Sequence, residues 1–238
     1  LSVVVDEAEA AYPVRIDPTF RWVALGPGMS GGFYPDVYAL TVYGTNVYAG
    51  GRFTDAGGNA VNYIAKWDGS TWSSLGSGVS NWVYALAADA SGNLYVGGCF
   101  VTAGGKGANC VAKWNGNSWT NLSSGLDSTV STLVLDGTNL YAGGVFTIAG
   151  GITANCVAKW NGNTWTNLGS GMNGPVRALA FDGSNLYAGG VFTIAGGITA
   201  NYVAKWNGNT WTNLGSGMRG ASPSILALAC DATGSLYA

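Results

Sequence analysis

LYAGGVFTIAGGITANCVAKWNGNTWTNLGSGM, residues 140–172, returns at residues 186–218 with a single change, Tyr202 for Cys156. Looser copies begin at Val47 and Leu94. One tryptophan recurs as Trp67, Trp114, Trp160 and Trp206, and a second as Trp72, Trp119, Trp165 and Trp211, with a further copy at Trp22. A period of about 46 residues is that of a repeat architecture, in which each unit buries its apolar face on the next.

Each unit reads as four short strands. In the first copy these are VYALTVY (37–43), NVYAGGRF (46–53), NYIAKW (62–67) and TWSSLG (71–76). YGTN, DASGN, DGTN, DGSN and DATGS separate the first two strands of successive units. These are turn-formers that supply positive φ or side-chain hydrogen bonds. Asn-Gly, or Asp68-Gly69, separates the last two strands and marks a tight hairpin. No 3.6-residue periodicity of useful length competes. Four antiparallel strands per period make a propeller blade.

The expected fold is all-β, a five-bladed β-propeller of four-stranded antiparallel blades in one domain over residues 1–238. The repeats run approximately over 37–82, 83–129, 130–175, 176–224, and 225–238 together with the N-terminus. First strands begin at Val37, Val83, Val130, Val176 and Ile225, whereas complete passages from second to third strand occur four times. The chain ends at SLYA, where earlier copies continue into Gly-Gly, and opens with a fourth-strand sequence, RWVALG (21–26). The two termini are therefore expected to share one blade and close the ring. AAYPVRI, whose Pro13 suits an edge strand, is the candidate third strand. Residues 1–21 are either closure strand or the remnant of a preceding domain.

Paired glycines at 50–51, 97–98, 143–144 and 189–190 leave room for backbones or rings to approach. The repeated tryptophans read as filling between blades. This pattern, a glycine pair ending the second strand and a Trp on the fourth, resembles kelch-type propellers over about residues 22–238. In blade number and period alone the chain resembles tachylectin-type five-bladed lectins. YPVRIDPTF (12–20) looks like a segment that precedes repeat domains in large bacterial surface proteins. These resemblances imply a propeller in an extracellular or cell-surface setting, with other domains in the chain.

Composition narrows the function. The net charge of −2 offers no field for phosphates, so nucleic acid is not an expected partner. No apolar run reaches the ~18–20 residues needed to span a bilayer, and membrane insertion is not expected. The chain has no histidine, the usual general base and the commonest metal ligand. Asp89, Asp136, Asp182 and Asp231 stand at the first turn of their blades, and Asp68 at a hairpin, where aspartate builds turns. Each such turn offers one carboxylate, too few for calcium. No enzyme activity and no cofactor are expected. A central carbohydrate-active site stays as a distant alternative, which a carboxylate pair in the channel would revive.

Cys99, Cys110, Cys156 and Cys230 show no C-x-x-C spacing. They read as small buried thiols, with a Cys99–Cys110 bridge open as the alternative. Lys66, Lys113, Lys159 and Lys205 read as stems lying on tryptophan with the amine in water. Asn62, Asn109, Asn155 and Asn201 read as ties on the loop backbone, against a second reading as shallow polar sites.

The loops from fourth to first strand differ in every copy: MSGGFYPD (29–36), VSNW (79–82), LDST (126–129), MNGP (172–175) and MRGASPS (218–224). Variable loops on a repeated frame are where binding resides. They offer Trp82, Phe33, Tyr34, Asp127, Asn173 and Arg219 as candidate ligand-binding residues. The expected function is a non-catalytic binding or adhesion module with a glycan or protein ligand. The alternative is a spacer or self-assembling repeat without a small ligand.

Overall fold

The computed structural model describes residues 24–32, 34–220, 223–231 and 233–238. Four antiparallel four-stranded sheets follow one another, each in simple up-and-down order. Blade 1 comprises Asp36–Tyr43, Asn46–Arg52, Ile64–Trp67 and Trp72–Ser74. Blade 2 comprises Val83–Ala88, Leu94–Gly98, Val111–Trp114 and Trp119–Asn121. Blade 3 comprises Val130–Leu135, Leu140–Gly144, Val157–Trp160 and Trp165–Asn167. Blade 4 comprises Val176–Phe181, Leu186–Gly190, Val203–Trp206 and Trp211–Asn213. The paired strands Ala229–Cys230 and Leu236–Tyr237 follow as the inner half of a fifth blade. The first strands of successive blades lie against one another, the arrangement of a β-propeller. The proposed closure strand AAYPVRI, with Trp22 and Val23, lies outside the described residues.

The glycine pairs do what their spacing predicts. A Cβ on Gly97 would stand 2.6 Å from Val130 Cγ1 of the next blade, and one on Gly143 2.6 Å from Val176 Cγ1. The second glycine of each pair, such as Gly98 against the Trp82 carbonyl, faces the first strand of its own blade. Val83, Val130 and Val176 are fully buried in consequence, and Ile225 is 6% exposed.

Within each blade the two tryptophans face each other across the last two strands, with ring centroids 5.3 to 5.5 Å apart. The fourth-strand indole reaches back to the preceding blade. Trp119 Nε1 donates to the Leu75 carbonyl at 2.7 Å, Trp165 to Leu122 at 3.0 Å and Trp211 to Leu168 at 2.8 Å. The fourth-strand tryptophans are thus core residues whose one polar atom is satisfied across the joint.

Two readings are modified. The passage from second to third strand, expected as a loop, is a small hairpin in each of the four complete blades, as in Ile148–Ala149 against Ile152–Thr153. Gly150 (φ 59°) and Gly151 (φ 88°) supply the left-handed turn that two-residue hairpins need. Lys159, whose amine was expected in water, places it over the Tyr141 ring, 5.9 Å from the centroid. The four cysteines are free thiols, Cys110 and Cys156 buried, Cys99 and Cys230 half-buried. Among the described residues no helix is long and apolar enough to cross a membrane.

Candidate functional site

Both loop classes open on one face and are strapped together. Met29–Ser30 pairs with Asp55–Ala56, and Val79, Leu126 and Met172 bridge to Ala103, Ala149 and Ala195. Asn62, Asn109, Asn155 and Asn201 donate to the carbonyls of Ser77, Ser124, Ser170 and Ser216 at 2.9 to 3.0 Å. They are backbone ties, as the first of the two readings had it.

Two of the six candidate ligand residues belong to the same strapping. Asp127 accepts from the Thr147 and Ile148 amides, both at 2.9 Å, and from the Thr147 hydroxyl at 2.7 Å. Asn173 accepts from the Thr193 and Ile194 amides, again both at 2.9 Å, and donates to the Thr193 hydroxyl at 3.0 Å. Their polar atoms hold the neighbouring hairpin, so their exposure does not make them free ligand groups. Arg219 is exposed in the loop after blade 4, far along the arc from Trp82. Phe33 lies outside the described residues.

Tyr34 and Trp82 do meet, through a residue the loop comparison passed over. Arg52, at the end of the second strand of blade 1, donates from Nε to the Tyr34 carbonyl at 2.8 Å. Its guanidinium binds Asp36 at 2.7 Å and lies over the Trp82 ring, 5.3 Å from the centroid. Among the described residues this is the one ion pair. Trp82 meets Tyr84 edge-on at 6.3 Å, and Tyr84 meets Tyr38 at 5.2 Å. Tyr38 in turn donates to Asp36 at 3.1 Å. Asp36, Tyr38, Arg52, Trp82 and Tyr84 thus form one cluster at the rim where blades 1 and 2 meet. Tyr34 stands beside it, 78% exposed, in left-handed backbone (φ 57°).

A β-bulge places the two tyrosines. In each of the four complete blades the first strand slips register by one residue near its start, and the unpaired residues are Tyr38, Tyr84, Ser131 and Arg177. A bulge frees a side chain from the ladder and re-aims it. Val37, Val83, Val130, Val176 and Ile225 precede the bulged position, and Tyr, Tyr, Ser, Arg and Leu follow in the sequence. That column breaks the repeat as sharply as the loops do and is the signal that would have found Tyr38, Tyr84 and Arg177.

The electrostatics are those of a neutral, aromatic site. Burial, then the neighbouring Cys99, pushes the Tyr84 phenol up to about 12. Burial and the hydrogen bond to Asp36 also raise Tyr38. Neither phenol ionises near neutral pH. Arg52 is already matched by Asp36, so the cluster offers a ligand ring faces and hydroxyls with little net charge.

No protein-family model and no curated protein sequence matches the chain. Among solved structures it is similar to the computationally designed Ika8 protein, at 17% identity over 84% of this chain and 54% of that one, with a TM-score of 0.52. The extracellular domain of BT4673 from B. thetaiotaomicron matches at 14% identity over 87% of this chain and 26% of that one, TM-score 0.56. YCF48 bound to D1 peptide matches at 14% over 89% and 60%, TM-score 0.50. The likeness is one of propeller fold, and the chain spans about half or less of the first two structures.

Proposed function

We propose that the chain is a non-catalytic binding propeller. It takes a peptide segment of a protein ligand on its loop face, at the rim between blades 1 and 2. One observation carries the reading: the residues that depart from the repeat at Tyr34, Asp36, Tyr38, Arg52, Trp82 and Tyr84 are brought into a single cluster. Tyrosine, tryptophan and a pre-ordered arginine are the side chains that concentrate binding energy at protein interfaces. The complex of YCF48, similar in fold, with D1 peptide agrees with a peptide ligand. The absence of histidine and the use of Asp136, Asp182 and Asp231 within their own turns support a role without catalysis.

A glycan is the second reading, because the same rings suit a sugar face. The low charge and the likeness to an extracellular domain support a secreted or cell-surface setting, with adhesion as the use and kelch-like blades as the lineage. Peptide and glycan arrays probed side by side with the unaltered chain and Tyr84→Ala test this. Peptide binding weakened at least roughly tenfold by the substitution is expected. Glycan binding with the same sensitivity moves the ligand to the second reading. An unaltered chain that binds neither array favours a spacer.

A further inference from the structure

The bulge column holds a residue that the cluster at blades 1 and 2 leaves unused. Tyr38, Tyr84, Ser131 and Arg177 each follow a valine near the start of a first strand. Val83, Val130 and Val176 are seated against Gly50, Gly97 and Gly143 of the blade before. The frame therefore puts Tyr84, Ser131 and Arg177 at equivalent points, one blade apart, beside the loops from fourth to first strand. The step between such points is short, because Tyr38 and Tyr84 meet across it with ring centroids 5.2 Å apart. The first strands of blades 3 and 4 are tied close by, where the Leu179 amide donates to the Thr132 hydroxyl at 3.3 Å. The column thus runs from two aromatic rings through a hydroxyl to a guanidinium.

Two arginines on this face stand in opposite states. Arg52 binds Asp36 and the Tyr34 carbonyl and lies over Trp82. Arg177 is exposed and makes no hydrogen bond, ion pair or ring contact among the described residues. Nor does any described carboxylate stand in reserve for it. Asp36 serves Arg52 and Tyr38, Asp55 serves Ser30 and Gly58, and Asp127 serves Thr147 and Ile148. Asp68, Asp89, Asp136, Asp182 and Asp231 each accept from amides of their own turns. These are all the acidic side chains among the described residues. A guanidinium left with its whole fork of donors matches a carboxylate, which it can take through two parallel hydrogen bonds.

We infer that Arg177 takes a carboxylate of the ligand while Trp82 and Tyr84 take an apolar or aromatic part of it, so that the column fixes the ligand's direction. The inference rests on the peptide reading above and adds the chemical group that reading leaves open. The Ser131 hydroxyl, half-buried and without a partner among the described residues, stands between the two ends as a further donor. The reverse direction would bring the carboxylate to Asp36, where the charge of Arg52 is already spent. A phosphate fits less well, because such groups gather several cations and Arg177 has a serine as its neighbour in the column. A chain end and an acidic side chain present the same two oxygens, and either can supply them.

Short peptides held by their N-termini test the assignment, each displayed with a free or amidated C-terminus and with its acidic residues as Glu or Gln, beside an array of acidic and neutral glycans. The unaltered chain is compared with Arg177→Gln and with Lys106→Ala, which removes an exposed cation from the hairpin of blade 2. Among peptides whose binding Tyr84→Ala weakens, neutralising one carboxylate is expected to weaken binding at least about fivefold. Arg177→Gln should cost as much and abolish the distinction between charged and neutral forms, and Lys106→Ala should do neither. Loss on amidation alone assigns the carboxylate to a chain end, and loss on exchange of Glu for Gln alone assigns it to a side chain. Peptides that need Tyr84 but bind equally well in charged and neutral form overturn the inference and leave the peptide reading standing. So does a preference for the charged form that survives Arg177→Gln. Binding confined to carboxylate-bearing glycans and lost in Arg177→Gln keeps the carboxylate contact and overturns the peptide reading. A chain that binds neither array overturns both.

Discussion

The rim between blades 1 and 2 and the joint between blades 3 and 4 are built on the same frame and carry opposite contents. Blades 3 and 4 repeat almost letter for letter, and their joint is closed by Val176, Phe192 and Trp211, each at most 5% exposed. Blades 1 and 2 keep the buried equivalents Val83, Phe100 and Trp119. Around them, however, they replace Val145 and Val191 with Arg52 and Cys99, Ser131 and Arg177 with Tyr38 and Tyr84, and Thr129 and Pro175 with Asp36 and Trp82. The difference separates two demands on one fold. Positions inside the joint are held by volume and by a hydrogen bond across blades, whereas positions on the bulge and loops can vary because they pack on little. Two tryptophans put this most sharply: Trp165 belongs to the frame and Trp82 to the face.

Removing each breaks the comparison in a different way, and the largest effect falls on the frame. Trp165→Ala deletes a ring 5% exposed and removes its indole hydrogen bond from the Leu122 carbonyl, which keeps only that from the Gly125 amide. It should cost about 3–5 kcal/mol in urea unfolding, enough to unfold a marginal domain. Trp82→Ala, at a half-buried ring, should cost under about 1 kcal/mol yet abolish ligand capture. Equal losses of stability from the two substitutions would sink the distinction.

Next in size is the glycine at the joint. Gly143→Ala brings a Cβ to 2.6 Å from Val176 Cγ1 and 2.8 Å from Thr132 Cγ2, so neighbours must shift. Overpacking of this kind costs about 1–3 kcal/mol, read as a lower urea midpoint with unchanged slope. Gly151→Ala has open space around its Cβ but a φ of 88°, and should cost about 1 kcal/mol through backbone strain alone.

A smaller effect appears with pH. Burial raises the Asp136 carboxyl, but hydrogen bonds from Asn139, Thr138 and the Tyr141 hydroxyl outweigh it and hold the group at about 2. A carboxyl lowered in the folded state binds its proton more readily when unfolded, so its contribution is present above the unfolded value near 4. It is lost as the pH falls from about 4 through 2. Asp136→Asn should lower stability at pH 7 by about 1 kcal/mol, allowing for solvent screening of a partly exposed group, and flatten the acid limb below pH 4. An acid limb that keeps its slope in the variant would assign it to other groups.

Much of this was legible because repetition turns one observation into four. The strands, the paired glycines, the Asn-Gly hairpins and the role of each tryptophan follow from residues that recur at one interval. The site was only half legible. Trp82 stands out as the tryptophan off the repeat, and Tyr34 as part of an irregular loop. Asp127 and Asn173 read as ligand groups because their loops vary, yet a carboxylate and an amide do the same work on a hairpin that does not. Tyr38 and Tyr84 are hidden in the sequence because they sit inside a strand, where only the one-residue register slip turns them out. A bulge depends on backbone pairing and leaves no residue type behind as its mark.

The smallest predicted effect tests that last equivalence directly. Asp127 and Asn173 stand at the same position of successive repeats, and each receives two backbone amides at 2.9 Å on one side-chain oxygen. They differ at the second atom alone. Asp127 accepts the Thr147 hydroxyl proton, whereas Asn173 donates to the Thr193 hydroxyl, and a threonine hydroxyl can turn to serve either. Burial raises the Asp127 carboxyl, but the amides of Ile148 and Thr147 and the Thr147 hydroxyl outweigh it and lower the group below the ordinary value. The charge therefore adds a modest stabilisation above pH 4 that asparagine lacks. Asp127→Asn should lower stability by no more than about 0.5 kcal/mol at pH 7 and by nothing measurable near pH 3, with ligand binding unchanged. Asp127→Ala, which strands two loop amides, should cost about 1 kcal/mol at both. If Asp127→Asn instead weakened binding while leaving stability intact, Asp127 would return to the face as a ligand contact, and the boundary between frame and face would move into blade 3.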